Sequence, residues 1–282
     1  MADIPAVKQT VKDSVFTDLF GMSKYLFQLY MALHPEDTTA QESDLQTVTL
    51  ENIFTDDIYN DLGFLKGDKL VVMIEAQSTW TSNIIIRALE YLVNSYRRYF
   101  TENNMDLYKS RKVALPRPEI YVIYTGNRKK RPEEITLSQE FFEGRQSAVE
   151  VTVKMIYDGK KGDIVNQYVT FTKVIDEQIK LYGRTKKAVQ QAIQICKDSD
   201  VLKEYLESRE SEVVDIMMQL YDREEIMRVH DFNVARDSGI MNVVRALKGV
   251  GLSFSEIVDK IRVQFNLSPE RAKEEVEEYW EC

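Results

Sequence analysis

The sequence DDIYNDLGFLKGDKLVVMIEAQ, residues 56–77, decides the fold because two apolar runs flank a short polar turn. Lys66, Gly67 and Asp68 form that turn and are residue types typical of turns. Apolar runs on both sides of such a turn indicate a β-hairpin. The second run ends at Glu75, where a carboxylate replaces the next core residue. The stretch therefore predicts a hairpin whose second strand has a polar end.

The register of this hairpin depends on the length of its loop. A three-residue loop at 66–68 pairs Leu65 with Lys69 and places Asp61 opposite Met73. Residues two apart on a strand share a face, so Asp61 would then share the face of Glu75.

A two-residue loop at 66–67 is the alternative, and it moves Asp61 to the opposite face of the sheet. Gly67 suits the left-handed position of a three-residue loop with a bulge, which favours the first register.

Two carboxylates that converge beside an apolar strand repel each other unless a cation lies between them. Asp61 and Glu75 offer oxygen ligands without His or Cys nearby, a donor set typical of Mg²⁺ or Mn²⁺. Such a cation lowers the pKa of bound water and stabilises charge on a phosphate oxygen. Gln77 shares the face of Glu75 and can orient water, although it carries no charge. A solvated strand-end Glu beside a turn Asp accounts for the same spacing without any site.

The rest of the chain alternates helical and strand patterns before becoming helical. The patterns predict helices at 11–33 and 81–101, strands at 47–54, 119–126 and 149–158, and helices from about residue 164. Strands mixed with crossover helices indicate an α/β fold, with a mixed sheet flanked by helices. We predict a sheet-containing domain at 1–195 and a helical C-terminal region at 196–282 with a regulatory, oligomerisation or packing role.

Two capped helices are predicted at the end of that region. Ser253 precedes Glu256 by three residues, which is the spacing of a capping box. Ser268 precedes Pro269, a favoured first helical residue. The second helix is strongly acidic, so we do not expect it to read DNA bases.

Composition excludes several classes of protein. The 282 residues are 44% hydrophobic and 29% charged, with a net charge of −9, which argues against coating nucleic acid by bulk charge. The cysteines, Cys196 and Cys282, are too few for a disulfide framework or a zinc site. His34 and His230 are predicted to lie on the surface. No apolar run approaches the ~18 residues of a membrane span, and the N-terminus lacks a signal-peptide core, so we expect a cytoplasmic protein.

Basic residues are nevertheless concentrated between residues 87 and 131. Solvated helix faces and loops explain any one group of them. As contacts to DNA phosphates, the candidates are Arg97, Arg98, Arg128, Lys129, Lys130 and Arg131.

Residues 57–91 resemble the core of the PD-(D/E)xK nuclease superfamily, and more narrowly the Rpn group of recombination-promoting, transposase-like nucleases. The motif residues are Asp61, Glu-x-Gln at 75–77 and Arg87 early in the next helix. The D-x-x-F that opens this group is similar to Asp13–Phe16.

The resemblance implies a restriction-endonuclease-like fold and metal-dependent hydrolysis of phosphodiester bonds in DNA. Asp61 and Glu75 would hold Mg²⁺ or Mn²⁺, with the backbone carbonyl of Ala76 as a further ligand. Gln77 stands where most of the superfamily has Lys, so a positive charge is missing there.

Other residues are candidates for supporting roles. Lys69 and Arg87 are possible replacements for the missing cation, and Asp57 is the alternative first carboxylate. Helix capping or a salt bridge explains Arg87 equally well. The missing Lys and the acidic net charge also fit a catalytically weak module that binds DNA or protein. A homodimer would suit an enzyme that cuts both strands.

Overall fold

The computed structural model describes residues 15–48, 61–76, 80–126 and 128–280. At positions 48, 61 and 73–76, and at several positions between 223 and 233, only the backbone is described. Most of the strand predicted at 47–54 lies outside these ranges.

The described residues form helices and strands in an order close to the predicted one. The helices are α1 (Val15–Phe20), α2 (Ser23–Leu33), α3 (Ile84–Glu102), α4 (Leu137–Phe141), α5 (Ile164–Tyr182), α6 (Lys186–Asp198), α7 (Lys203–Gly249), α8 (Phe254–Phe265) and α9 (Pro269–Trp280). The strands are β1 (Leu45–Val48), β2 (Asp61–Lys66), β3 (Lys69–Ala76), β4 (Arg117–Tyr124), β5 (Glu134–Thr136) and β6 (Thr152–Ile156). The helix predicted at 11–33 is divided into α1 and α2 by a turn at Gly21 and Met22.

The strands form one six-stranded mixed sheet in the order β1-β2-β3-β4-β6-β5. β1, β2 and β3 are antiparallel neighbours, β4 runs parallel to both β3 and β6, and β5 is antiparallel to β6. Helix α3 makes the connection between the parallel strands β3 and β4. This arrangement confirms the predicted α/β class with a mixed sheet flanked by helices.

Each face of the sheet is covered by its own helices. On one face, Leu70 and Val72 of β3 belong to the same buried cluster as Ile85 and Ala88 of α3. On the other face, Phe64 of β2 packs edge-to-face against Tyr30 of α2, with ring centroids 6.3 Å apart. Even-numbered β3 residues therefore face α3, and odd-numbered ones face the opposite layer.

The β2–β3 hairpin does not have the predicted register. Lys66 pairs with Lys69, so the loop consists of Gly67 and Asp68 alone, and Asp61 lies opposite Ile74. Gly67 has a φ of +59°, whereas Asp68 has a negative φ, as in a two-residue turn with glycine first. The prediction was wrong because the positive φ of Gly67 suits this turn as well as a bulged three-residue loop.

The chain divides into two compact units, Met1–Leu220 and Tyr221–Cys282, a later boundary than the one predicted near residue 195. A buried ion pair explains why the start of α7 belongs with the sheet. Asp18 of α1 is fully buried and accepts hydrogen bonds from Arg209 Nε at 2.9 Å and Nη2 at 3.0 Å. It also accepts one from the hydroxyl of Tyr205 at 2.8 Å. Helix α7 departs from helical geometry at Arg209, where φ is −136°.

The second unit contains the two capped helices that the sequence predicts. The hydroxyl of Ser253 accepts from the backbone N–H of Glu256 at 3.4 Å, and the Glu256 carboxylate accepts from the Ser253 N–H at 2.8 Å. Ser268 likewise accepts from the N–H of Arg271 at 3.2 Å, and α9 begins at Pro269. Buried side chains of α7, α8 and α9 form a separate core. Within the described residues, no helix is long and apolar enough to cross a membrane.

Candidate functional site

The carboxyl ends of three parallel strands meet at one edge of the sheet, which we call the carboxyl edge. β3 ends at Ala76, β4 at Tyr124 and β6 at Ile156. Glu75 lies beside Ile123 in the β3–β4 ladder, one residue before the end of β3. Ligands of open α/β sheets bind in crevices outside the carboxyl ends of strands. The sequence therefore places its singled-out glutamate at the edge where a site is expected.

Asp61 and Glu75 lie at this edge but on opposite faces by register. Asp61 opposes Ile74, which precedes Glu75 in β3, and successive residues alternate between faces. The expected convergence of the two carboxylates on one face is therefore wrong for the described hairpin. Its physical cause is the turn, because a register shift of one residue moves every side chain to the other face.

Several other predicted residues lie outside the described residues. These are Asp13, Asp57 and Gln77. Ala76 is described only by its backbone, as the last residue of β3. The proposed roles of these residues remain predictions.

Lys69 lies at the far end of β3 from Glu75. Six residues separate them, which corresponds to about 20 Å along a strand. The register also removes Lys69 from the face of Asp61. Its ammonium lies 3.7 Å from a carboxylate oxygen of Glu119. The register therefore contradicts the expected shared face of Lys69 and Asp61, and the supporting role of Lys69 stays a prediction.

That far end contains a buried polar network. His34 is 4% exposed, and its Nε2 lies 2.9 Å from a carboxylate oxygen of Glu119. Arg117 also binds Glu119, at 2.9 Å, and the hydroxyl of Tyr121 donates to it at 3.2 Å. Burial, followed by the charge of Glu119, raises the pKa of Tyr121. The predicted surface position of His34 is wrong because its imidazole is buried against Tyr121 and Glu119 of β4.

The basic residues predicted to contact DNA fall into two separate groups. Arg97 and Arg98 lie near the end of α3, about 20 Å along the helix from its first residue. Arg98 forms an ion pair with Glu102 at 2.7 Å. Arg87 lies in the first turn of α3, with its guanidinium 6.0 Å from the ring centroid of Tyr91. Residues 128–131 instead follow β4 at the carboxyl edge.

Two arginines and three aromatic side chains meet at the carboxyl edge, and we call them the edge cluster. They are Trp80 after β3, Tyr124 at the end of β4, Tyr157 after β6, Arg128 and Arg131. Ring centroids are 5.6 Å apart for Trp80 and Tyr124, and 6.0 Å apart for Tyr124 and Tyr157. The guanidinium carbons of Arg128 and Arg131 lie 3.5 Å and 5.3 Å from the ring centroids of Trp80 and Tyr157.

The two arginines of the edge cluster differ in their partners. Arg131 forms an ion pair with Asp158, which also binds Lys173 at 2.8 Å. The hydrogen bond from Lys173, followed by the one from Arg131, lowers the pKa of Asp158. Arg128 is half-buried, and its Nη1 has no hydrogen-bond partner among the described residues. An unsatisfied buried donor costs ~1–3 kcal/mol, so an added acceptor at Arg128 would be stabilising.

Sequence reasoning missed the aromatic part of the edge cluster. Trp80 and Tyr157 belong to no motif, and Tyr124 reads as the end of an apolar strand. Their shared signal is position, because each lies at or shortly after the end of a strand. That signal becomes useful only when β3, β4 and β6 are known to be parallel neighbours.

No metal-ligand cluster in the described part of the chain indicates which reaction the carboxyl edge could catalyse, and no known relative indicates one either. Among the described residues, no group of three or more His, Cys, Asp or Glu could hold a metal ion. The register assigns Asp61 and Glu75 to opposite faces, so the backbone does not provide the shared face expected for a Mg²⁺ site. Comparisons with models of protein families, with curated proteins and with solved structures find no match for this chain.

Proposed function

We propose that this protein is a DNA endonuclease of the restriction-endonuclease-like, Rpn type, acting at the carboxyl edge of its sheet. The observation that carries the proposal is the edge itself. Three parallel strands end together, with Glu75 one residue before the end of β3, and the edge cluster on the α3 face contains Arg128, whose Nη1 lacks an acceptor among the described residues.

The strand arrangement supports the same proposal. The described order of β2, β3 and α3 is the order that the resemblance implies, with an Asp strand, a Glu strand and then a helix. Glu75 lies one residue before the end of β3, and Arg87 lies in the first turn of α3. Edge-cluster cations and Lys129 and Lys130 in the same loop would contact phosphates.

A second candidate is a nuclease-like fold that binds DNA or protein with little or no cleavage. The register favours it, because Asp61 and Glu75 lie on opposite faces of the described hairpin. The edge cluster would bind DNA equally well in either case. Cleavage therefore distinguishes the two candidates, and binding does not.

Metal removal is the direct test of the enzymatic proposal. We expect purified protein to nick supercoiled plasmid in Mg²⁺ or Mn²⁺, to lose this activity in EDTA, and to regain it when Mg²⁺ is restored. Gel analysis of plasmid forms across several salt concentrations measures the result. If clean protein leaves the plasmid intact under every metal and salt condition, the enzymatic proposal is wrong.

A further inference from the structure

The edge cluster has a flat layer built from a cation and a ring. The guanidinium carbon of Arg128 lies 3.5 Å from the ring centroid of Trp80, which is a stacking distance. A guanidinium stacks through its faces and donates hydrogen bonds in its plane. Trp80 therefore supports one face of the Arg128 guanidinium, and the N–H groups lie in the plane of that group, with Nη1 buried.

The charge of Arg128 is not matched by a described carboxylate. The ion pairs of the described residues include Arg131 with Asp158 but none to Arg128. Its buried Nη1 lacks an acceptor within the same part of the chain. An oxyanion, such as a phosphodiester oxygen, would supply both the missing charge and the missing acceptor.

The other rings of the edge cluster pack edge-to-face beside this layer, and Tyr124 is only 3% exposed. Trp80, Tyr124 and Tyr157 follow the ends of three neighbouring strands, with centroid separations of 5.6 and 6.0 Å. Aromatic rings and arginine planes beside cations are typical of surfaces that bind unpaired nucleotides. A duplex keeps its bases stacked inside and offers proteins mainly its phosphates and groove edges.

We infer that the edge cluster binds single-stranded or locally unpaired DNA, with a base stacked against the Arg128–Trp80 layer and a neighbouring phosphate accepting from Arg128. This inference rests on the proposed function and names its substrate class. The positive loop at 128–131 would follow the backbone of the strand, while the Arg128–Trp80 layer takes a base.

Binding without cleavage tests the inference separately from catalysis. In EDTA, fluorescence anisotropy compares a labelled 20-nucleotide oligothymidylate with a duplex of equal length. We expect the single strand to bind at least about tenfold more tightly, because stacking on a protein side chain stabilises each unpaired base. Equal or tighter binding of the duplex, or tighter binding of an oligouridylate of the same length, would overturn the inference.

The fluorescence of Trp80 reports directly on binding at the edge cluster. The chain contains two tryptophans, so Trp280→Phe leaves Trp80 as the sole tryptophan. Saturating oligothymidylate should quench its fluorescence, since a base stacks on the layer that contains it. Binding without a change in this fluorescence would place the DNA elsewhere and contradict the inference.

Variants of Arg128 measure how much the planar guanidinium contributes to binding beyond its positive charge. Arg128→Ala should weaken oligothymidylate binding at least about tenfold, and Arg128→Lys should recover only part of this loss, because lysine supplies charge without a plane. Arg145→Ala is the matched control, since Arg145 is 77% exposed and pairs with Glu143. Equal effects at Arg128 and Arg145 would overturn the inference. If the wild-type protein binds the single strand but does not nick plasmid, that result would contradict only the proposed enzymatic function.

Discussion

Glu75→Gln is expected to lower the rate of plasmid nicking by at least about 100-fold, because Glu75 is a proposed ligand of the catalytic cation, whose charge stabilisation is worth several kcal/mol. The substitution keeps the size of the side chain and removes its charge. Glu75 lies one residue before the end of β3, beside β4, where the proposed reaction takes place. Initial rates of nicking in Mg²⁺ measure the effect, with circular dichroism confirming that the variant is folded.

Two further substitutions test whether the loss of nicking is specific to Glu75. Glu143→Gln removes a carboxylate that is 85% exposed and should leave nicking unchanged. Asp61→Asn should not reproduce the loss caused by Glu75→Gln, because the register assigns the two acids to opposite faces. An equal loss at Asp61 would show that both carboxylates act together and that the described register is wrong.

Arg209→Met is expected to lower the free energy of unfolding by about 3 kcal/mol, the lower end of the range for breaking a buried ion pair. The Asp18 carboxylate is fully buried and would lose its cationic partner while retaining the hydrogen bond from the hydroxyl of Tyr205. Arg209 supplies two of its hydrogen bonds, at 2.9 and 3.0 Å. Since the side chain of Arg209 is 28% exposed, water partly offsets the loss.

Urea denaturation followed by circular dichroism measures this change. Arg228→Met is the matched control on the same helix, because Arg228 is 71% exposed and pairs only with Glu225 among its described ion-pair partners. Such a surface pair contributes ~0–1 kcal/mol. If both variants unfold at the same urea concentration, the buried ion pair does not secure α7 to α1.

Sequence patterns predicted the elements of the fold better than their junctions. The hairpin, α3, β4 and β6 were predicted because each is an uninterrupted apolar or amphipathic segment. The three residues of β5 and the five of α4 are too short to produce a periodic signal. The contact between Asp18 and Arg209, which joins positions 191 apart in the chain, has no signal in the local sequence pattern.

Prediction of the candidate site from sequence has the same limit, because single positions follow from local patterns but their relations do not. The position of Glu75 at a strand end follows from sequence alone, because its apolar run stops there. Its relation to Asp61 does not, since one residue of loop length at Gly67 decides which face each acid occupies. The edge cluster depends on strand order, which assembles Trp80, Tyr124 and Tyr157 from three distant segments.

Photocrosslinking tests most directly whether DNA binds at the carboxyl edge. A single strand containing 5-iodouracil is irradiated with the protein in EDTA, and crosslinked peptides are identified by mass spectrometry. We expect crosslinks at Trp80, Tyr157 and the peptides that contain residues 121–131. Crosslinks confined to residues 97–117, near the opposite end of α3, would contradict the account.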